Sequence, residues 1–96
     1  MLVLVTYDVS LAQPGGARRL RRVARACQDY GQRVQFSVFE IWVTDAMQRE
    51  LEQALKKLID EEDDSVRFYR LCAACQGRVK ILGRGTPPQT PGVLIV

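Results

Sequence analysis

The sequence predicts an α+β domain in which one sheet carries two helices on a single face. Three observations point there. Strand-like and helix-like stretches follow in the order strand, helix, strand, strand, helix, strand; each helical stretch has one apolar stripe; and the chain begins with an unbroken apolar strand. Ninety-six residues fit one domain, and a domain of this size buries only about 60–65% of its unfolded surface, which makes a second copy a natural source of further burial.

The first strand covers residues 2–8, where Leu2, Val3, Leu4, Val5 and Thr6 read as a strand covered on both faces. Asp8, the first carboxylate of the chain, stands at its end, and the sequence has no histidine to share chemical work with it. A charge in that position calls for a metal, an arginine or water. A turn at residues 13–16 leads into a helix over residues 17–30, with Leu20, Val23, Ala24, Cys27 and Tyr30 on one side and Gly31 as C-cap. Helical spacing gathers Arg18, Arg21, Arg22 and Arg25 on the opposite face.

Residues 33–44 are strand-like, but the apolar phase slips. Val34, Phe36 and Val38 alternate on one face, then Phe39, Ile41 and Val43 on the other, which predicts a bulge, kink or corner between Val38 and Phe39 and two short strands. The second helix starts at Asp45 as N-cap with Gln48 completing a capping box, and Met47, Leu51, Ala54, Leu55, Leu58 and Ile59 form its stripe. Residues 60–64 form a solvated acidic loop without the alternating ligands, central glycine and distal glutamate of a calcium-binding loop. Residues 66–71 read as the fourth strand and 78–82 as an extra one. The resulting expectation is a ferredoxin-like βαββαβ sandwich with an extra C-terminal strand, homodimeric because the uncovered sheet face needs a partner. Residues 1–83 make up the domain. Residues 84–96 read as an extended linker and an apolar tail that either folds back on its own sheet or joins a partner's sheet edge.

Charge is distributed unevenly. Residues 1–33 carry +4, residues 45–65 carry −5 and residues 66–96 carry +5, within a net charge of +3. Two basic regions around an acidic one suit a face that meets phosphates, against the alternative of a solvated helix surface. No charged leader precedes an apolar stretch and no apolar run approaches the roughly 18–20 residues of a membrane span, so the expectation is a soluble, cytoplasmic protein without a membrane partner. Three cysteines argue against a disulfide framework. Cys27 falls on an apolar stripe; Cys72 and Cys75 form a single CxxC that reads as small loop residues, with a dimer-shared metal or a reversible disulfide as alternatives.

Several segments carry a resemblance together: Val5-Thr6-Tyr7-Asp8-Val9, the arginine-rich helix ending Asp29-Tyr30-Gly31, Arg33-Val34-Gln35-Phe36-Ser37-Val38-Phe39-Glu40, and Asp64-Ser65-Val66-Arg67-Phe68-Tyr69-Arg70-Leu71. In this order, over about residues 2–82, the chain resembles the CRISPR-associated protein Cas-two family. The resemblance implies a ferredoxin-like homodimer that works with the Cas-one integrase in acquiring spacers, and in some members cleaves RNA or DNA with magnesium. It implies Asp8 as catalytic and metal-proximal residue, with Mg2+ or another divalent cation shared between two chains. It also implies that Tyr7 and Phe39 line the same cleft and that Arg33, with Arg18 or Arg19, holds phosphate. Many members carry a further acid shortly after this aspartate; here Ser10 offers only a hydroxyl. The expected nucleic-acid-binding set is Arg18, Arg19, Arg21, Arg22, Arg25 and Arg33, with Tyr7, Ser10 and Phe39 lining the cleft. A scaffold without chemistry, or an unrelated ferredoxin-like RNA-binding or regulatory module, are the alternative readings.

Overall fold

The structure is a computed structural model and describes residues 1–12 and 14–85. In chain order its elements are β1 (Leu2–Asp8), α1 (Gly16–Gln28), β2 (Gly31–Gln35), β3 (Val38–Trp42), α2 (Asp45–Leu58), β4 (Ser65–Leu71) and the single turn α3 (Ala73–Gln76). The four strands form an antiparallel sheet in the order β2-β3-β1-β4. The expected βαββαβ arrangement is therefore present, with β1 at the centre.

Alternation along β1 decides what each face of the sheet does. Val3, Val5 and Tyr7 join Phe39 and Ile41 in a core completed by Val23, Ala24 and Cys27 of α1 and Leu51 and Leu55 of α2. Leu4 and Thr6, one residue out of phase, are only half-buried, and Asp8 is exposed. Contrary to the expectation for β1, its second face is covered only in part among the described residues: Leu2 at its start is buried there, and the cover thins toward Asp8. The open face also carries Trp42, whose buried indole Nε1 has no acceptor among the described residues.

The phase slip in residues 33–44 is a hairpin. Its turn lies at Phe36 and Ser37, two residues before the expected corner, and the β2–β3 register shifts between Arg33 and Gln35. The shift absorbs the odd residue that the two apolar phases require. Gly31 is the first residue of β2 rather than a left-handed cap, since only Gly15 and Gly83 have positive φ among the described residues. A side chain at Gly31 would collide with the Glu40 carbonyl, so its role is to let β2 approach β3.

At α2 the N-cap is Thr44, one residue earlier than expected; its Oγ1 accepts the Met47 N–H at 3.1 Å. Gln48 is free of capping duty. It is buried, accepts from Arg70 Nε at 3.0 Å and donates to Glu52 at 3.0 Å, while Arg70 also donates to Asp45 at 2.7 Å, tying α2 to β4.

Residues 78–82 form no strand. Cys72 caps α3 and turns the chain at the end of β4, and Ile81 and Leu82 are left exposed. The tail expected beyond residue 85 lies outside the described residues. No helix among those described is long and apolar enough to cross a membrane.

Candidate functional site

Strand alternation separates the expected site residues onto two faces of the sheet. Asp8 lies on the open face, opposite Ser65 of β4, and Thr6 lies opposite Arg67. With Tyr7 and Tyr69 these residues line a shallow recess of about 270 Å³. The ion pairs among the described residues, Arg19 with Asp64 and Arg70 with Asp45, leave the Asp8 carboxylate unpaired and exposed. Arg67 donates to the Tyr69 hydroxyl at 3.3 Å, which holds its guanidinium beside the recess. A carboxylate, a guanidinium and the hydroxyl-bearing residues Thr6, Ser65 and Tyr69 at one rim can bind a phosphodiester and a cation together.

Ser65, Arg67 and Tyr69 were absent from the expected set. Their signal was present in the sequence: three polar groups at alternate positions of a strand share one face. What the sequence lacked was the register that sets that face beside Asp8.

Tyr7 points the other way. Its ring stacks on Phe39 with centroids 6.2 Å apart, and its hydroxyl donates to the Phe36 carbonyl at 3.2 Å and accepts from Arg33 at 3.4 Å. Phe39 is wholly buried and Tyr7 nearly so. Both rings are core aromatics of the helix side, since residues 7 and 8 face opposite ways in a strand; Tyr7 nevertheless borders the recess that holds Asp8, whereas Phe39 is not among its lining residues.

On that helix side the basic residues converge. Arg18, Arg21, Arg22, Arg25 and Gln28 of α1, with Arg33 and Phe36 from the β2–β3 hairpin, line an open groove of about 560 Å³. The Arg33 guanidinium sits 5.5 Å from the Phe36 ring centroid and 5.2 Å from that of Phe39, a cation–π pair that fixes its direction. Phe36 itself is 73% exposed. Guanidinium groups beside an exposed aromatic ring suit a phosphate backbone and its bases.

Arg19 does not belong to this groove. Its Nε donates to Asp64 at 2.9 Å and it reaches the Ser10 carbonyl at 3.4 Å. Asp64 has a fully buried side chain and also accepts the N–H groups of Ser10 at 2.9 Å and Asp60 at 2.8 Å. Burial by itself would raise the Asp64 carboxyl, but the hydrogen bonds from Arg19, Asp60 and Ser10 hold it below its ordinary value. Ser10 is likewise an anchor: its backbone is held by Asp64 and Arg19, and its hydroxyl accepts from Ala12 N–H at 3.4 Å. Arg19 and Ser10 thus hold the β1–α1 loop, which fixes where Asp8 ends its strand.

Comparison with known proteins gives a consistent picture. A sequence profile of the family described as CRISPR associated protein Cas2 matches residues 1–79. The chain is 50% identical over 96 residues to the CRISPR-associated endoribonuclease Cas2 of Nitratidesulfovibrio vulgaris, covering 100% of this chain and 94% of that one. It is 53% identical over 83 residues to the CRISPR-associated endonuclease Cas2 of Halalkalibacterium halodurans, covering 86% of each. The crystal structure of Streptococcus pyogenes Cas2 at pH 6.5 superposes with a TM-score of 0.76 at 54% identity, over 86% of this chain and 100% of that one.

Proposed function

Since the chain belongs to the CRISPR associated protein Cas2 family, we propose that it is a CRISPR adaptation protein that supports spacer acquisition and hydrolyses phosphodiester bonds at Asp8 residues paired across a homodimer. The observation that carries the catalytic part is the exposed, unpaired Asp8 carboxylate at a rim with Arg67, Ser65 and Tyr69. On this reading Arg67 holds the phosphate, and the loop anchored by Arg19 and Asp64 fixes Asp8 relative to it.

The residues fit a divalent cation only in pairs. Mg2+ takes oxygen ligands and commonly one or two carboxylates with substrate phosphate, whereas no group of three or more acids, cysteines or histidines gathers among the described residues. One Asp8 from each chain supplies the pair. A bound divalent cation contributes a Lewis acid and an acidified water, a role that a chain without histidine does not otherwise fill. The half-open sheet face with Leu4, Thr6 and Trp42 supports a second copy as its cover. By the same family reading the Cas-one integrase is a partner, and the arginine groove on the helix side is the nucleic-acid contact.

Cleavage of RNA and of duplex DNA by the purified protein, with Mg2+ and with chelator, tests this directly. Asp8→Asn is expected to lower the rate about a hundredfold or more, the size of effect seen when a group that stabilises transition-state charge is lost. Equal cleavage by wild type and variant would remove Asp8 from the mechanism.

A second reading, a non-catalytic nucleic-acid scaffold, is favoured by one observation: the groove and Asp8 occupy opposite faces of the sheet. Binding therefore does not require Asp8. If Asp8→Asn binds nucleic acid as wild type does and neither protein cleaves it, the scaffold reading stands.

A further inference from the structure

We propose that Cys72 and Cys75 form a reversible dithiol–disulfide couple, oxidised by low-molecular-weight disulfides, whose closure clamps the turn through which residues 77–85 leave β4. Neither the phosphodiesterase nor the scaffold reading uses these thiols.

Both cysteines are exposed, and they sit at the two ends of one turn. Cys72 is the N-cap of α3, and Cys75 is three residues on, with its N–H donating to the Cys72 sulfur at 3.4 Å. Side chains three apart in a helical turn have Cβ atoms about 5–6 Å apart, and a bridge needs roughly 3.5–4.5 Å. The extended backbone of Cys72, at φ −64° and ψ 166°, already turns its sulfur toward Cys75, so only a small closure remains.

The two thiols are unequal. Hydrogen bonding from Cys75 lowers the Cys72 pKa, and the same contact raises that of Cys75. Cys72 is therefore the attacking thiolate. It displaces one thiolate from the small disulfide and becomes a mixed disulfide. The Cys75 sulfur then attacks the Cys72 sulfur, expels the second thiolate and closes the bridge. The two protein thiols lose two electrons and two protons, and one small disulfide becomes two thiols. Cys27 provides an internal control, since it is fully buried and burial pushes its thiol up to about 11.

Bridge closure ties the first residue of this turn to its last helical half. Gln76, next to Cys75, already donates to the Leu71 carbonyl at 3.3 Å, so the bridged turn is held to the end of β4 at two points. The chain beyond it contains trypsin sites at Arg78 and Lys80 and the exposed Leu82.

The test equilibrates full-length protein with glutathione disulfide, quenches with acid, alkylates free thiols and maps them by mass spectrometry. Wild type is expected to lose two hydrogens with Cys72 joined to Cys75 and Cys27 alkylated only after denaturation. Cys75→Ser is expected to stop at glutathione on Cys72, and Cys72→Ser to react at Cys75 at least about tenfold more slowly. Tryptic cleavage after Arg78 and Lys80 is expected to slow severalfold on oxidation of wild type and not of Cys75→Ser. Absence of the intramolecular bridge, or faster reaction at Cys75 than at Cys72, overturns the couple. A bridge that leaves cleavage unchanged overturns the clamp.

Discussion

Asp64 shows how much a single carboxylate can organise when it is taken out of water. Its oxygens accept from Arg19, Ser10 and Asp60, so it joins α1, the loop after β1 and the loop before β4. From sequence it read as one of five acids in a solvated loop; nothing in that loop's composition distinguishes it, because the partners that bury it, Arg19 and Ser10, lie 45 and 54 residues away. Asp64→Ala is expected to cost about 3 kcal/mol in urea unfolding, since it leaves the half-buried Arg19 guanidinium and two N–H groups without their acceptor. The same bonds give stability a pH dependence. The folded carboxyl lies below its ordinary value of 3.8, so its contribution is fully present above that value and is lost as pH falls through the depressed folded one. Wild type is therefore expected to lose stability between about pH 4 and its acid midpoint more steeply than Asp64→Asn, and parallel curves for the two would contradict the role given to Asp64. Asp8 is the opposite case. Its place at the end of a strand was legible, and so was Tyr7 beside it at the recess; strand alternation adds that the Tyr7 ring itself lies on the core face.

At the scale of elements, the stripes of α1 and α2 were legible because helical spacing alone sorts buried from exposed positions. The arginine face came with them. The groove did not, because its far wall comes from Arg33 and Phe36, on a hairpin whose turn the apolar phase put two residues late. Caps were misread for a related reason: Thr44 and Asp45 are both good N-caps, and only backbone geometry separates them. Thr44→Ala is expected to cost about 1 kcal/mol by thermal or urea unfolding, whereas Asp45→Ala leaves the cap intact. The groove makes a sharper prediction. Arg21 and Arg25 are exposed on its wall, and replacing both with Gln is expected to reduce the slope of log affinity against log salt by up to about 1.8 for duplex DNA. Fluorescence anisotropy at several salt concentrations measures that slope. An unchanged slope would place the phosphate contacts elsewhere. Phe36→Ala should leave the slope alone and weaken single-stranded ligands selectively, since stacking carries little charge.

For the whole molecule, the unresolved balance in one chain is its sheet: one face holds the core, and the other is half-open with Leu4, Thr6, Trp42 and the Asp8 recess upon it. The sequence made this legible indirectly, because two helical stripes cover only one face and a small chain buries little else. It could not supply the distance between two copies of Asp8, which depends on how two such faces meet. Subunit mixing tests the pairing without that distance. Wild type and Asp8→Asn are unfolded together, refolded at equal amounts and assayed for cleavage. If each chain works alone, activity is half that of wild type at the same total concentration. If both Asp8 carboxylates are needed, random pairing leaves active only the dimers with two wild-type chains, about a quarter of the total. A series of ratios separates the two cases, since the first is linear in the wild-type fraction and the second quadratic. The quadratic curve is the expected result. A linear one would locate each active site within a single chain, in the recess that Asp8 shares with Thr6, Tyr7, Ser65, Arg67 and Tyr69.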